Sequence, residues 1–274
     1  MLSITPNPRV TFKVHFEDAD LLVLEKAPNV VTQPGKGHDT DSLLNGLFVT
    51  WGKQLQNLGA ARDFGLLHRL DRQTSGLLIV ALRQRSYDAI RAQFEAHSIR
   101  KFYWAICHRA PKAGARGSGV IKRPILETEP RTGEQKLARL APRGRPAVTA
   151  WRLLAHSDRG ALIEARPLTG RLHQVRVHLE SIGAPILGDD LYVHKALRLA
   201  SPRLALHAHR LAFEHPSSGE TLDVRSPFPR DLRPLLKRLQ LPRPDLDSAL
   251  PAPEAPSAVD ADSGAAGASV DVDE

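Results

Sequence analysis

Three stretches of the chain hold residue types that can do chemistry. In LHRLDRQTSGLLIVAL (67–82) a polar loop runs into an aliphatic segment, and Asp71 stands in that loop between Arg69 and Arg72. A carboxylate so placed has three uses. It can cap the turn through backbone amides two or three residues on, pair with a surface cation, or serve as a catalytic group on a loop that a rigid strand positions. Local sequence alone favours the cap. In RPLTGRLHQVRVHL (166–179) Leu172, Val175 and Leu179, followed by Ile182, fall on one side of a helix, and Arg176 borders that apolar stripe. A guanidinium beside a buried face is costly unless it meets a carboxylate or a phosphate. Glu180, one turn on, is expected to face solvent, so the partner must come from another segment, and Asp71 is a candidate. The third stretch is KFYWA (101–105), where Tyr103 alternates with Phe102 and Trp104 along a strand. Phe102 and Trp104 are expected to pack in the core.

The elements that must hold these residues follow from periodicity. Val10, Phe12, Val14 and Phe16 alternate with polar residues as in a half-buried strand, and 21–25 reads as a second strand. A helix is expected over 42–51, a buried strand over 76–82, a helix capped by Ser86 and running to about Ala96, and a strand over 102–107. Residues 109–146, rich in Gly, Pro, Lys and Arg, read as strands between long basic loops. Strands at 147–155 and 161–167 follow, then a helix over 171–181 ended by Gly183. A hairpin of 204–213 with 221–225 and a closing helix over 231–239 complete the body. Strands outnumber helices and mostly follow one another directly. The expected fold is α+β, a mixed, largely antiparallel central sheet with flanking helices.

Composition narrows the class. With 274 residues, 42% hydrophobic and 25% charged, the chain is a folded protein of one or two domains rather than a fibrous or wholly unfolded one. Its longest aliphatic run, 77–82, is far short of the ~20 residues of a membrane helix, and its first residues lack the apolar core of a secretory signal. The single cysteine, Cys107, rules out an internal disulfide and a multi-cysteine zinc site and fits a reducing cytoplasm. The net charge of +8 is unevenly spread. From Leu241 to Glu274 eight acidic residues face one arginine, a net of −7, which leaves +15 on the first 240 residues. A body this basic points to a polyanionic partner, most simply nucleic acid. The stretch after Leu241, rich in Pro, Ala, Ser and Asp and free of aromatics, cannot bury enough apolar area to offset its ordering entropy. It is expected to be a disordered acidic tail over 242–274.

Together these stretches are similar to the RluA-type RNA pseudouridine synthases. The likeness is carried by HRLDRQTSG (68–76), KFYWA (101–105), RPAVTAWRLL (145–154), RPLTGRLHQVRVHL (166–179), GDDLY (188–192) and LHAHRLAFEHP (206–216), in that order, and spans about 10–227. The resemblance implies a catalytic domain over 1–241, with an eight-stranded mixed sheet and a basic cleft between two halves. It implies Asp71 as the essential aspartate and Arg176 as its basic partner. It places Tyr103 on the target base, Leu206 on the base's other side, and Arg69 where it holds the nucleotide flipped out. The implied activity is isomerisation of uridine to pseudouridine in structured RNA, ribosomal or transfer. The enzyme is expected to be a cytoplasmic monomer that needs no cofactor, no metal, no membrane and no obligate protein partner. The reaction moves no electrons and releases no group, but the base must leave the stack and the aspartate must be ionised to act.

The chain departs from the family pattern at 26–29, Lys-Ala-Pro-Asn where Lys-Pro-x-Gly is usual, and at Val193, where Gly usually follows the tyrosine. It also opens directly on the body, so RNA selection is expected to fall to the cleft and the loops over 112–145 rather than to a small N-terminal RNA-binding domain. Two rival classes remain. A metal-dependent hydrolase would need a ligand set, but His173 and His178 are five apart and splay, and His207 and His209 share a strand face without an obvious acidic partner. An RNA-binding or chaperone protein without turnover would have no need of Asp71, Tyr103 and Arg176 together.

Overall fold

The computed structural model describes residues 3–111, 117–128 and 136–246. From residue 247 on, the expected acidic tail lies outside the described residues, as do 112–116 and 129–135 of the basic loops. The first half of the body is β1 (Phe12–Glu17), β2 (Leu21–Lys26), α1 (Leu43–Leu58), β3 (Ser75–Ala81) and α2 (Gln84–Glu95). Helix α1 starts on a capping box, in which Ser42 Oγ accepts from the Asn45 amide and the Asn45 side chain accepts from the Ser42 amide. Trp51 does leave helical geometry at the expected end (φ −107°, ψ 17°), but this is a kink, and the helix resumes because Leu55 and Leu58 continue its buried side. Helix α2 begins two residues before Ser86, and Ser86 does not cap it. A buried carboxylate claims that hydroxyl instead, Ser86 Oγ donating to Asp20 Oδ1 at 2.8 Å.

The second half holds β4 (Arg100–Cys107), β5 (Ser118–Lys122), β6 (Ile125–Glu127), β7 (Ala138–Leu140), β8 (Val148–Ser157), β9 (Gly160–Pro167), α3 (Gln174–Ser181), α4 (Lys195–Arg198), β10 (Leu206–Glu214), β11 (Thr221–Arg225) and α5 (Arg233–Arg238). Helix α3 starts three residues later than expected, because His173 before it takes a left-handed backbone (φ 50°). The main sheet runs β1-β2-β3-β10-β4-β9-β8-β5 with β11 beside β10, nine strands where the family likeness implied eight. Strands β6 and β7 form a separate hairpin.

All pairings in the sheet are antiparallel except β3 with β10, parallel at His207↔Ser75 and Ala208↔Gly76. At that junction Gly76 is required: its φ is +122°, and a Cβ there would come within 2.3 Å of the Ala208 carbonyl oxygen. One core lies around β2, β3 and α1, the other around β4, β9, α3 and α5, and Tyr103 packs against both. Phe102 and Trp104 are buried as expected, at 1% and 2% exposure. No described helix is long and apolar enough to cross a membrane.

Candidate active site

Where the two cores meet, the sheet opens into a cleft of ≈ 580 Å³. Arg69, Asp71, Tyr103, Arg176 and Leu206 all line it. They arrive from four places: the loop before β3, the middle of β4, helix α3 and the first residue of β10. The parallel β3–β10 junction is what lets the Asp71 loop and Leu206 enter from the same end. The cleft is basic, with six Lys or Arg side chains against three Asp or Glu among its lining residues.

Asp71 does not use its carboxylate as a turn cap. The turn is closed by the Thr74 amide on the Asp71 backbone carbonyl, at 3.1 Å. The carboxylate turns toward α3, with Oδ2 3.5 Å from Arg176 Nη1 and Oδ1 4.0 Å from His173 Nε2. Arg176, 3% exposed, meets its anion need chiefly elsewhere: Nε donates to Asp189 Oδ2 and Nη2 to Asp189 Oδ1, both at 2.8 Å, and Nη2 also reaches Asp190 Oδ1 at 3.2 Å. Such a two-pronged pair fixes the plane of the guanidinium as well as its place. Burial works against the charge on both partners. The bonds between them prevail, raising the Arg176 pKa above its ordinary value and holding the Asp189 carboxyl below its own. Asp189 Oδ1 also accepts the amides of Leu191 and Tyr192, at 2.9 and 3.1 Å, so one carboxylate anchors both α3 and the loop after it. The carboxylate that sequence reasoning sought from another segment is therefore Asp189 first and Asp71 second.

Burial, and then the charge of Asp71, push the Tyr103 phenol pKa up, so it stays protonated at neutral pH. Lys101, two residues earlier on the same strand face, sits 5.6 Å over the Phe94 ring, and burial lowers its pKa to about 8. His68 accepts from the Ile79 amide at 3.1 Å, and burial with the nearby Lys101 charge brings its pKa down to about 3.

Sequence reasoning missed Lys26. Its ammonium is wholly buried and donates to the carbonyls of Ala27 (2.8 Å), Val30 (2.7 Å) and Arg72 (3.1 Å), tying the end of β2 to the residue after Asp71. Burial lowers its pKa to about 7, against the pull of Asp71. A lysine closing an apolar strand was the available signal.

Three further histidines are held inside the body by neighbouring groups. His178 lies between Thr149 and the Arg123 carbonyl, and His207 between Ser75 and Ser226. His209 stacks flat on Trp104 at 3.8 Å and has the acidic partner that the sequence did not reveal, Glu164 at 3.1 Å. Among the described residues, Asp18, Asp20 and His215 converge as metal ligands would. Their atoms are already engaged: Asp18 Oδ1 accepts the amides of Asp20 and Leu21, and Asp18 Oδ2 bonds His215 at 2.7 Å. That group staples a turn.

The family model for RNA pseudouridylate synthase matches residues 20–181, a span that holds Arg69, Asp71, Tyr103 and Arg176. The chain belongs to the RNA pseudouridylate synthase family. A ribosomal large subunit pseudouridine synthase D of Zymomonas mobilis is 37% identical over 240 residues, covering 85% of this chain and 74% of that protein. A ribosomal large subunit pseudouridine synthase C of Vibrio parahaemolyticus is 32% identical over 231 residues, 82% of this chain and 68% of the relative. The solved structure of human RNA pseudouridylate synthase domain containing 4 superposes with a TM-score of 0.64 at 24% identity, over 85% of this chain and 95% of that one, and shows the shared fold. The RluA-type likeness carried by the motifs therefore holds, and with it the mixed α+β architecture. The synthase is an isomerase acting on RNA: the bond from uracil N1 to the sugar breaks, C5 takes its place, N1 gains a proton and C5 loses one.

Proposed function

We propose that this synthase isomerises uridines in structured ribosomal RNA in the cytoplasm, with Asp71 as its catalytic carboxylate. One observation carries the reading: five residues from four segments line one basic cleft, with Arg176 Nη1 3.5 Å from Asp71 Oδ2. In this reading Asp71, ionised, attacks the sugar or removes its proton, while Arg176 steadies the carboxylate. Tyr103 is the platform under the detached uracil and Leu206 its apolar cover. Arg69, exposed at the rim, fills the stack position left by the flipped nucleotide. The relatives named for the large ribosomal subunit favour ribosomal over transfer RNA.

The first residues of the acidic stretch expected over 242–274 belong with the body. Residues 242–246 line a small pocket with Trp104, and the Leu246 carbonyl accepts from Arg225 at 2.6 Å. Truncation after Leu246 therefore leaves the body intact and should preserve turnover, with RNA binding equal or tighter once like charge is removed.

The test is to map pseudouridines in total RNA from cells with and without the gene. Sites lost only from large-subunit ribosomal RNA support the proposal. Sites lost from transfer RNA move the substrate, and an unchanged map favours RNA binding without turnover.

A further inference from the structure

Two side chains outside the five above link the β6–β7 hairpin to Asp71. Tyr192, in the loop that Asp189 anchors, has its hydroxyl oxygen 2.9 Å from the Ala138 amide on β7 and 2.6 Å from His173 Nδ1. The amide can only donate, so it takes a lone pair of the phenol oxygen. The phenol's own proton is then free to go to the nearby ring nitrogen. With Nδ1 accepting, the proton of a neutral imidazole sits on Nε2, the nitrogen 4.0 Å from Asp71 Oδ1.

We propose that Tyr192 and His173 are positioning residues: the phenol holds a neutral imidazole with its Nε2–H toward Asp71, so that a neutral donor faces one carboxylate oxygen while Arg176 faces the other. This rests on the reading of Asp71 as the catalytic carboxylate. The hydroxyl's second partner is the β7 backbone, so the seat of the hairpin and the orientation of the imidazole are one hydrogen bond apart.

Three further observations agree. His173 adopts φ 50°, a left-handed conformation that is uncommon for a non-glycine residue and concentrated at functional sites. The Arg176 guanidinium lies 5.2 Å from the Tyr192 ring centre, so Tyr192 packs directly on the arginine that meets Asp71. The groups facing His173 are Asp71, Arg176, Asp189, Arg69 and the Tyr192 phenol. Burial, ahead of the opposing pull of Asp71, holds its pKa below the ordinary value and favours the neutral ring.

The test is single-turnover pseudouridine formation on protein-free large-subunit ribosomal RNA, from pH 5.5 to 9, with the full chain. Tyr192→Phe keeps the ring over Arg176 and removes only the hydroxyl. The rate should fall by ~10- to 100-fold, the scale of a misplaced catalytic group, with RNA affinity retained and only a modest drop in melting temperature, because the Ala138 amide loses its acceptor. The acidic limb of the profile should move to higher pH, because the bond removed favoured the neutral ring. His173→Gln, whose amide N–H can stand in for Nε2–H, should retain more activity than His173→Ala. A wild-type rate and acidic limb in Tyr192→Phe, or equal activity of the Gln and Ala variants, would overturn the positioning pair. Asp71→Asn run alongside separates the two claims, since turnover by that variant overturns the underlying reading instead.

Discussion

Arg176 and Asp189 meet fork to fork, two nitrogens each 2.8 Å from one carboxylate oxygen, with both side chains almost wholly buried. Breaking such a pair from one side leaves the buried guanidinium with only its longer contacts to Asp190 and Asp71, a loss of up to ~3–5 kcal/mol. Asp189→Asn is therefore expected to lower stability by about that amount in chemical denaturation and to slow turnover, because Arg176 is deprived of the partner that sets its angle to Asp71. A variant as stable and as active as the wild type would show that Asp189 does not hold Arg176.

Lys26→Met keeps much of the side-chain length and removes three donors from the carbonyls of Ala27, Val30 and Arg72. Each buried acceptor left without a partner costs ~1–3 kcal/mol. The expected loss is ~3 kcal/mol or more, with slower turnover at a temperature where the variant stays folded, since Arg72 adjoins Asp71. Unaltered stability would contradict the tie between β2 and the Asp71 loop.

Acid should destabilise the fold through His207, which burial brings to a pKa of about 3 between Ser75 and Ser226. An unfolded histidine takes its proton near pH ~6.5. Between those values the unfolded chain binds more protons, so stability falls as pH drops, by up to ~1.4 kcal/mol per pH unit from this residue. Denaturation from pH 8 to 5 should show that slope, made shallower in His207→Gln. Equal slopes in the two proteins would assign the acid sensitivity elsewhere.

RNA affinity should fall steeply with salt, because the cleft's cations displace counterions from phosphates. Replacing Arg145 or Arg171, both lining the cleft, by Ser should reduce the log–log slope by ~1 for each phosphate no longer engaged. A salt-independent affinity would place the binding surface outside the cleft.

Much of this architecture is legible in the chain because it is written in local period. The aliphatic run of β3 and the alternation at Phe12, Val14 and Phe16 correspond to strands. The motif stretches name all five candidate site residues, and all five line the cleft. What local pattern does not carry is competition through space. Ser86 looks like a helix cap until Asp20, distant in sequence, takes its hydroxyl. Asp71 looks like a turn cap until α3 presents Arg176. The acids of GDDLY stand in plain view, but nothing at that spacing says that Asp189 rather than Asp71 makes the closer bond to Arg176. His173 reads as an ordinary helical residue, and its left-handed backbone delays the start of α3. Lys26 reads as a polar strand end because its three acceptors come from two loops.

The central claim is that Asp71 carries the chemistry, and Asp71→Asn tests it most directly. The change keeps the side-chain size and removes the charge that faces Arg176. Single-turnover assay on protein-free large-subunit ribosomal RNA, with binding measured in parallel, should show pseudouridine from the wild type and none from the variant, while the variant still folds and binds RNA. Substantial pseudouridine formed by Asp71→Asn would contradict the account.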